Sequence, residues 1–249
     1  MLWGLLRPRT WLRRLRFALA PHFTRPSSSL RGRSVDLSRP LDLRRREILL
    51  TFDDGPTVPS LEVLHTLSRF DVSAAFFMIG VRVEESPALA RYASRLGHVV
   101  GSHTHTHPDL ATLPEADALV EIRRGHAALE RALAGTRPAA PLFRFPFLSH
   151  NRQLTDAVKA LGLVILGADI DSLDWRHAGS TPAALHHALK QVDDIGAGVI
   201  LLHDVHPSTA AMLPSFLEAL RARGYSVVTP TMPAQLDRTR VLLTDSTHV

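Results

Sequence analysis

Five short clusters of polar residues in the sequence contain the chemical groups that metal-assisted hydrolysis requires. Asp53 and Asp54 are adjacent carboxylates in front of a Gly-Pro turn, and His103 and His107 lie four residues apart. Residues at this spacing share one face of a helix or turn, so both imidazoles can bind one ion. Together with Asp54 they would form a His-His-Asp set that leaves coordination positions open, as catalytic metal sites do. The other three clusters contain Arg144, Asp174-Trp175 and His203.

Each cluster taken alone also has a simpler interpretation. Residues 53–56 fit an ordinary Asp-Gly turn, which is a common connection after a strand. Residues 103–107 fit a polar histidine-rich loop with incidental affinity for metals, and His105 has the wrong phase to join the other two histidines. The position of the clusters relative to the predicted strands decides between these interpretations.

Apolar segments rich in β-formers alternate with segments of helical periodicity from residue 47 onward. The predicted strands cover residues 48–52, 73–78, 98–101, 142–145, 164–169, 198–202 and 225–229. The predicted helices cover residues 59–69, 85–96, 115–135, 152–162, 181–192 and 207–223. This alternation predicts parallel βα units whose sheet is closed into a barrel or left open. All five clusters then fall at the carboxyl ends of strands, where such folds build their active sites.

The composition excludes several chemistries. The chain has no cysteine, so disulfides, zinc–thiolate sites and a cysteine nucleophile are absent. The net charge of +5 divides unevenly, because residues 1–46 contain twelve arginines and two aspartates, and the remainder is acidic at −5. A nucleic-acid-binding domain needs a basic patch on its folded part, so we expect no nucleic-acid partner. No stretch has the roughly 18 consecutive apolar residues that a membrane-spanning helix needs.

The sequence divides into a basic leader, a catalytic domain and a tail. These cover residues 1–46, 47–235 and 236–249. Four apolar leader residues lie on one helical arc and fit a helix at an anionic membrane surface: Trp11, Leu12, Leu15 and Leu19. The prolines and the Ser27-Ser28-Ser29 run fit a flexible leader instead. The apolar run after the leader's charges is too short for a secretory signal peptide.

The five clusters resemble, in the same order, the motifs of the polysaccharide deacetylase (NodB-homology) family, which is carbohydrate esterase family four. Residues 51–56 and 101–110 resemble its first two motifs. Residues 144–147, 171–175 and 200–204 resemble its Arg-Pro-Pro-Tyr, Asp-Trp and Leu-x-His elements. The resemblance covers about residues 47–230. It implies an α/β fold, a distorted (β/α) barrel with about seven parallel strands, in agreement with the strand count from periodicity.

The resemblance also implies the residues that hold a metal and activate water. Asp54, His103 and His107 would bind one divalent ion, usually zinc or cobalt in this family. Asp53 would be the general base acting on water at that ion. Arg144 would pair with Asp53 and keep it ionised, because a nearby opposite charge favours the charged form.

The remaining motif residues would protonate the leaving group and hold the substrate. The resemblance makes His203 the general acid, oriented by Asp174. Trp175 and Leu201 would line a small apolar pocket for the acetyl methyl group. The backbone N–H of Phe147 would help to hold the oxyanion of the tetrahedral intermediate, for which nearby donors are needed.

These residues predict a metal-dependent hydrolase that removes acetyl groups from carbohydrate, namely from N-acetylglucosamine units of peptidoglycan or chitin-like chains. Phe145, Phe147 and Leu148 replace the proline, tyrosine and glycine that are usual in the third motif, so we expect a changed wall of the substrate groove. An O-acetyl glycan esterase could use the same chemistry, and a carbohydrate-binding pseudoenzyme would be expected to lack a ligand or the base. A two-metal phosphatase or nuclease would need more ligands.

The cellular location is open at this point. The implied substrates indicate the cell envelope or periplasm, whereas the absence of a standard signal peptide leaves cytoplasmic and membrane-peripheral locations possible. An interfacial helix in the basic leader would bring the protein into peripheral contact with a membrane, whereas a flexible leader would not. Nothing in the sequence indicates the oligomeric state.

Overall fold

The computed structural model describes residues 29–233, which form nine strands and seven α-helices. The strands are β1 (Arg31–Asp36), β2 (Glu47–Asp53), β3 (Ala75–Met78), β4 (Val99–Ser102), β5 (Leu142–Phe143), β6 (Val164–Ile165), β7 (Ile170–Asp171), β8 (Gly198–His203) and β9 (Ser226–Thr231). The α-helices are α1 (Val58–Arg69), α2 (Gly80–Glu85), α3 (Pro87–Arg95), α4 (Glu115–Leu133), α5 (Arg152–Ala160), α6 (Thr181–Ile195) and α7 (Pro207–Ala222).

All strand pairs in this part of the chain are parallel. Seven strands follow one another around a barrel in the order β6-β5-β4-β3-β2-β8-β7. No ladder joins β6 to β7 within the described residues, so the barrel is open at that point. β9 pairs with the first residues of β2 and carries β1 on its other side. This architecture confirms the predicted distorted (β/α) barrel with about seven parallel strands.

The alternation of side chains along β2 separates two cores. Leu49 faces the barrel interior, where it packs in a cluster with Phe77 and Val199. Leu50 and Phe52 face outward and pack in the larger cluster that contains the buried faces of the helices. Because β2 is buried along its whole length, residues 51 and 53 continue the inward-facing row up to the carboxyl end of the strand.

The C-terminal part of the predicted leader is folded in the structure. Arg31–Asp36, which we assigned to the leader, forms β1 and pairs with β9. Leu30, Val35 and Leu37 are buried there. The folded domain therefore begins before residue 31, because these apolar side chains complete the core beside β9. The predicted interfacial helix and the tail over residues 236–249 lie outside the described residues.

Two other predicted elements are divided in the structure. Only the first two residues of the predicted strand over residues 164–169 are a strand, β6, and β7 begins directly after the predicted end, across the opening of the barrel. The predicted helix over residues 85–96 begins earlier and is interrupted at Ser86, which lies between α2 and α3. Within residues 29–233, no helix is both long and apolar enough to cross a membrane.

Candidate active site

The two adjacent aspartates at the end of β2 have different partners. Asp53 continues the inward-facing row of the strand and is 3% exposed. Asp54 adopts a left-handed backbone conformation, with φ of 75°, that turns its side chain away from Asp53. The Asp54 backbone is held on both sides, since its N–H donates to the Phe77 carbonyl (3.1 Å) and its carbonyl accepts from Arg82 Nη1 (2.6 Å). Each carboxylate can therefore have a separate chemical role.

Asp54, His103 and His107 form a group that could hold a metal ion. Their ligand atoms all lie within 4.8 Å of one another. Asp54 Oδ1 lies 3.6 Å from His103 Nε2 and 3.2 Å from His107 Nε2. This buried oxygen has no hydrogen-bond partner among the described residues. A buried carboxylate oxygen without a hydrogen bond is costly, so its position facing two imidazole nitrogens fits a divalent cation.

The protonation state of His103 also suits a metal ligand. Its Nδ1 lies 2.9 Å from the backbone carbonyl of Arg144, which can only accept, so Nδ1 carries the proton. The lone pair of the neutral ring is then on Nε2, which faces Asp54. Burial lowers the pKa of His103 to about 3, and this keeps the ring neutral at ordinary pH. An outer hydrogen bond of this kind is how proteins orient imidazole ligands.

The loop between the two histidines is fixed by α4. Glu121 Oε2 accepts hydrogen bonds from the backbone N–H groups of His105 (3.1 Å) and Thr106 (2.8 Å). Gly125, one turn further along, lets the helix touch the loop, because a Cβ at that position would lie 2.4 Å from the Thr104 carbonyl. Sequence reasoning missed both residues. They lie in a separate helix, and no local pattern connects them with the histidines.

Arg144 is fully buried beneath the site and binds Asp53. Its Nη1 donates to Asp53 Oδ1 (2.8 Å) and to the Thr51 hydroxyl (2.7 Å). Its Nε and Nη2 donate to the carbonyls of Leu166 (3.0 Å) and Gly167 (2.6 Å). Burial raises the pKa of Asp53, and the charge of Arg144 opposes that rise. The predicted pairing of Arg144 with Asp53 is therefore present, although burial and not the arginine dominates the pKa shift.

A second pair lies on the other side of Asp53, and it consists of the buried Asp174 and the partly buried His203. Asp174 Oδ1 lies 2.7 Å from His203 Nδ1, and Asp174 Oδ2 accepts from the His203 backbone N–H (2.7 Å) and the Thr209 hydroxyl (2.7 Å). Burial favours the neutral ring, but the hydrogen bond and charge of Asp174 outweigh it and raise the pKa of His203 to about 9. His203 is therefore protonated at neutral pH. Thr209 was not identified from the sequence, where it is one hydroxyl in a helical segment.

The two sides of the site meet across one strand pair. Asp53 and His203 are register partners in β2 and β8, so their backbones are about 4.8 Å apart. On the opposite side, Asp53 Oδ2 lies 3.7 Å from His103 Nε2. A carboxylate thus lies between a candidate metal group and a protonated imidazole, which is an arrangement suited to hydrolysis with proton transfer.

The residues predicted to contact substrate occupy the rim and floor of this cleft. Phe147 is 67% exposed, and the edge of its ring meets His107, with 4.8 Å between the ring centroids. Trp175 is 46% exposed and follows Asp174 directly. Leu201 is buried and is the register partner of Thr51 in the barrel wall. The positive φ of Phe147 (58°) and Leu148 (53°) means that the third motif turns sharply although its usual glycine is absent.

Comparison with known proteins gives consistent matches. The family described as polysaccharide deacetylase matches residues 41–166. A peptidoglycan-N-acetylglucosamine deacetylase from Bacillus cereus is 33% identical over 194 residues, which is 73% of this chain and 68% of that protein. A chitin deacetylase from Colletotrichum lindemuthianum is 32% identical over 195 residues, which is 73% of this chain and 77% of that protein.

Solved structures of similar proteins have the same fold. The Bdellovibrio bacteriovorus peptidoglycan deacetylase Bd3279 superposes with a TM-score of 0.74 at 30% identity, covering 90% of this chain and 67% of that one. A family 4 carbohydrate esterase from Streptomyces lividans, solved with acetate, has a TM-score of 0.65 at 32% identity, covering 76% of this chain and 94% of that one. These matches, together with the barrel described above, show that the chain belongs to the polysaccharide deacetylase family, the enzymes of carbohydrate esterase family four.

Proposed function

We propose that this enzyme is a metal-dependent deacetylase of N-acetylglucosamine units in peptidoglycan or chitin-like chains. The relatives named above are peptidoglycan and chitin deacetylases, which supports a carbohydrate deacetylase. The observation that carries the finer proposal is the position of Asp53, between the Asp54–His103–His107 group and the protonated His203.

The donor set suits zinc, or cobalt in its place. Two imidazole nitrogens and one carboxylate oxygen are typical ligands of a catalytic zinc ion, and three protein ligands leave room for water and substrate. A divalent cation at this group would act as a Lewis acid toward a carbonyl oxygen and would make water more acidic. The chain's own contribution is a rigid set of ligands, since His103 is oriented by the Arg144 carbonyl and the intervening loop by Glu121.

Asp53 is the general base in this proposal. Its carboxylate is held by Arg144 and faces His103 Nε2 at 3.7 Å, so it can take a proton from water that approaches the metal group. Burial raises the pKa of Asp53 above that of a free aspartate, which makes the carboxylate a better proton acceptor near neutral pH. Asp54, in contrast, is a ligand, because its Oδ1 faces both histidines.

His203 is the general acid, and this role favours amide over ester substrates. An amine is a poor leaving group until it is protonated, whereas an alcohol departs more readily. The pKa of about 9 means that His203 holds a proton throughout the neutral range. Asp174 fixes the ring through Nδ1, so the other nitrogen, Nε2, is available to the substrate.

The exposed rings at the rim suit a sugar polymer. Phe147, whose ring meets His107, and Trp175, which follows Asp174, both expose part of their rings to solvent. Aromatic rings of this kind provide a large contact area for the apolar face of a pyranose ring. Leu201 lies lower in the cleft and provides apolar surface for the acetyl methyl group.

The test is acetate release by purified, zinc-loaded full-length protein. The substrates are N-acetylglucosamine oligomers, peptidoglycan fragments, O-acetylated xylan oligomers and a phosphorylated model compound, with products weighed by mass spectrometry. We expect acetate from the N-acetyl substrates and none after chelation. Acetate from the O-acetylated oligomers alone would replace the proposal with a glycan esterase. Release of phosphate without acetate would overturn the deacetylase proposal.

A further inference from the structure

Three arginines surround an open cavity at the end of the barrel opposite the candidate active site. Arg45 and Arg46 directly precede β2, and Arg223 follows the last residue of α7. The cavity has a volume of about 360 Å³, and its wall also includes Asp193, Gly196 and Tyr225. All three arginines are exposed. We refer to this cavity, which Arg45, Arg46 and Arg223 surround, as the arginine cavity.

The backbone around the arginine cavity is fixed by hydrogen bonds. Arg46 has a left-handed conformation, with φ of 64°. Its N–H donates to the Gly196 carbonyl, and its carbonyl accepts from the Ser226 N–H, each at 2.9 Å. Gly224 leaves space for the guanidinium, because a Cβ there would lie 3.1 Å from Arg46 Nη1. The guanidinium groups are therefore carried on ordered connections between strands.

The charges in the arginine cavity are only partly compensated. Arg223 pairs with Asp193, with 3.3 Å between Nε and Oδ2. Among the residues that the structure describes, Arg45 and Arg46 form no ion pair. The carbonyl ends of helices attract cations, which accounts for Arg223 at the end of α7. That explanation does not extend to Arg45 and Arg46, which precede a strand.

The same end of the barrel carries further positive charge. Arg69 and Arg95 are exposed at the ends of α1 and α3, and Arg137 is exposed in the connection from α4 to β5. Residues 1–28 contain six arginines and no carboxylate. They join the domain at this end, because the Leu30 carbonyl accepts from the N–H of Val227 at the start of β9 (2.8 Å).

The arginine cavity is far from the catalytic residues. Arg46 and Asp54 flank β2, whose seven residues span about 20 Å at roughly 3.3 Å per residue. We call the end of the barrel that contains the arginine cavity the arginine end. A planar partner bound there would leave the cleft at the other end of the barrel open to solvent.

We propose that the arginine end of the barrel binds an anionic phospholipid membrane, with a lipid phosphate in the arginine cavity. A membrane fits better than a single soluble anion, because arginines lie in several separate connections at this end of the barrel. The exposed carboxylates of Asp71 and Asp194 at this end are already paired, with Arg31 and Lys190. The segment that joins this end combines arginines with Leu2, Trp3, Leu5, Leu6 and Trp11, a composition typical of membrane interfaces. The bound enzyme would direct its cleft away from the membrane surface.

The test measures binding of the full-length protein to phosphatidylcholine vesicles with and without phosphatidylglycerol. Each arginine near an anionic surface strengthens binding about fivefold. Arg45→Gln together with Arg46→Gln should therefore weaken binding to the anionic vesicles roughly 25-fold, and added salt should reduce the difference. The matched control is Arg123→Gln with Arg152→Gln, which removes two exposed charges from α4 and α5. The control should bind like the parent protein.

Three results would overturn the proposal. They are equal binding by the double variant and the parent, an equal loss in the control, and binding of inorganic phosphate by a parent protein that does not bind the anionic vesicles. If the double variant does not fold, Arg45→Gln alone should show the fivefold loss. Acetate release from a soluble oligosaccharide should be unchanged in the double variant. Vesicle binding is measured without substrate, so failure of the proposed activity would not affect this result.

Discussion

The candidate site contains two histidines, His103 and His203, whose pKa values are shifted in opposite directions. On the metal side, burial lowers the pKa of His103 to about 3. On the acid side, the pKa of His203 is raised to about 9 despite burial. The difference follows from the partner of Nδ1, which is the Arg144 carbonyl for His103 and the Asp174 carboxylate for His203.

This comparison gives a physical reason why His103 would suit a metal ligand and His203 a general acid, as proposed above. A carbonyl acceptor on Nδ1 orients the ring and stabilises its positive charge only weakly, so desolvation prevails. A carboxylate on Nδ1 orients the ring and also stabilises the imidazolium. Asp53 lies between the two sides, within 3.7 Å of His103 Nε2 and in register with His203.

The largest expected effect is on the metal side. His103→Ala removes one of three ligands, and we expect loss of the bound divalent ion together with all measurable deacetylation. Metal content by mass spectrometry and acetate release measure the two outcomes. The control is His150→Ala, an exposed histidine at the end of the third motif, which should retain both metal and activity. A His103→Ala variant that keeps metal and activity would show that the ligand assignment is wrong.

Asp53→Asn and Asp54→Asn should separate the roles of the adjacent aspartates. Asp53→Asn should retain metal and lose about 1,000-fold in turnover, because general base catalysis contributes roughly 100- to 10,000-fold. Asp54→Asn should instead weaken metal binding, and excess zinc should restore part of its activity. Equal metal loss in both variants would mean that Asp53 is also a ligand, and the assignment of separate roles to the two aspartates would be wrong.

On the acid side, His203→Ala should slow hydrolysis of an N-acetyl sugar by about 100-fold, within the usual range for general acid catalysis. An activated aryl acetate should be affected much less, because its leaving group departs without a proton. Metal content should not change. Equal losses on the two substrates would show that His203 positions the substrate and is not the acid.

Most residues of the candidate site could be located from the sequence because each follows a strand in a recognisable motif. Asp53, Asp54 and His203 lie at the ends of two long, buried strands whose pattern is clear. β1 was not predicted, because it is a border strand with several exposed polar residues and an arginine-rich sequence. β6 and β7 have two residues each, too few for a pattern of alternation to separate them.

The supporting residues could not be predicted because their contacts connect distant parts of the chain. Thr209 reaches Asp174 from α7, 35 residues away, and the Thr51 hydroxyl contacts Arg144, 93 residues away. Periodicity reports which face of an element is buried. It does not report which polar group that face meets, and the direction of the His103 and His203 pKa shifts depends on such groups.

Removing the charge of Asp174 should bring the pKa of His203 closer to that of His103. In Asp174→Asn, His203 loses its hydrogen-bonded carboxylate and keeps only the weaker attraction of Asp53 and Asp54 against the effect of burial, so its pKa should fall well below 9. N-acetyl hydrolysis should then decline at a lower pH, with a loss of about tenfold or more at pH 8 and a smaller loss at pH 6. An unchanged alkaline limb in the pH–rate profile would contradict this origin of the shift.

The same pair should influence stability in a defined direction. The folded pKa of His203 lies above its unfolded value, so its stabilising contribution is complete below about pH 6.5 and is lost as the pH rises through 9. Thermal unfolding of the parent and Asp174→Asn should therefore differ more at pH 6 than at pH 10. This measurement needs no substrate and tests the pair independently of turnover.

The smallest expected effect is at Glu121, which supports the metal side without touching it. Its carboxylate accepts two consecutive N–H groups in the loop between His103 and His107. Hydrogen bonds to a charged acceptor are stronger than those to a neutral one, so Glu121→Gln should loosen the loop while preserving the side-chain shape. We expect metal affinity to fall about tenfold, the lower end of the range for outer contacts of metal sites. Turnover at saturating zinc and the pH profile set by His203 should be unchanged.

Glu130→Gln, which changes an exposed glutamate further along α4, is the matched control and should bind metal normally. If Glu121→Gln lowers turnover at saturating zinc but leaves affinity intact, then Glu121 acts on the substrate and not on the ligand loop.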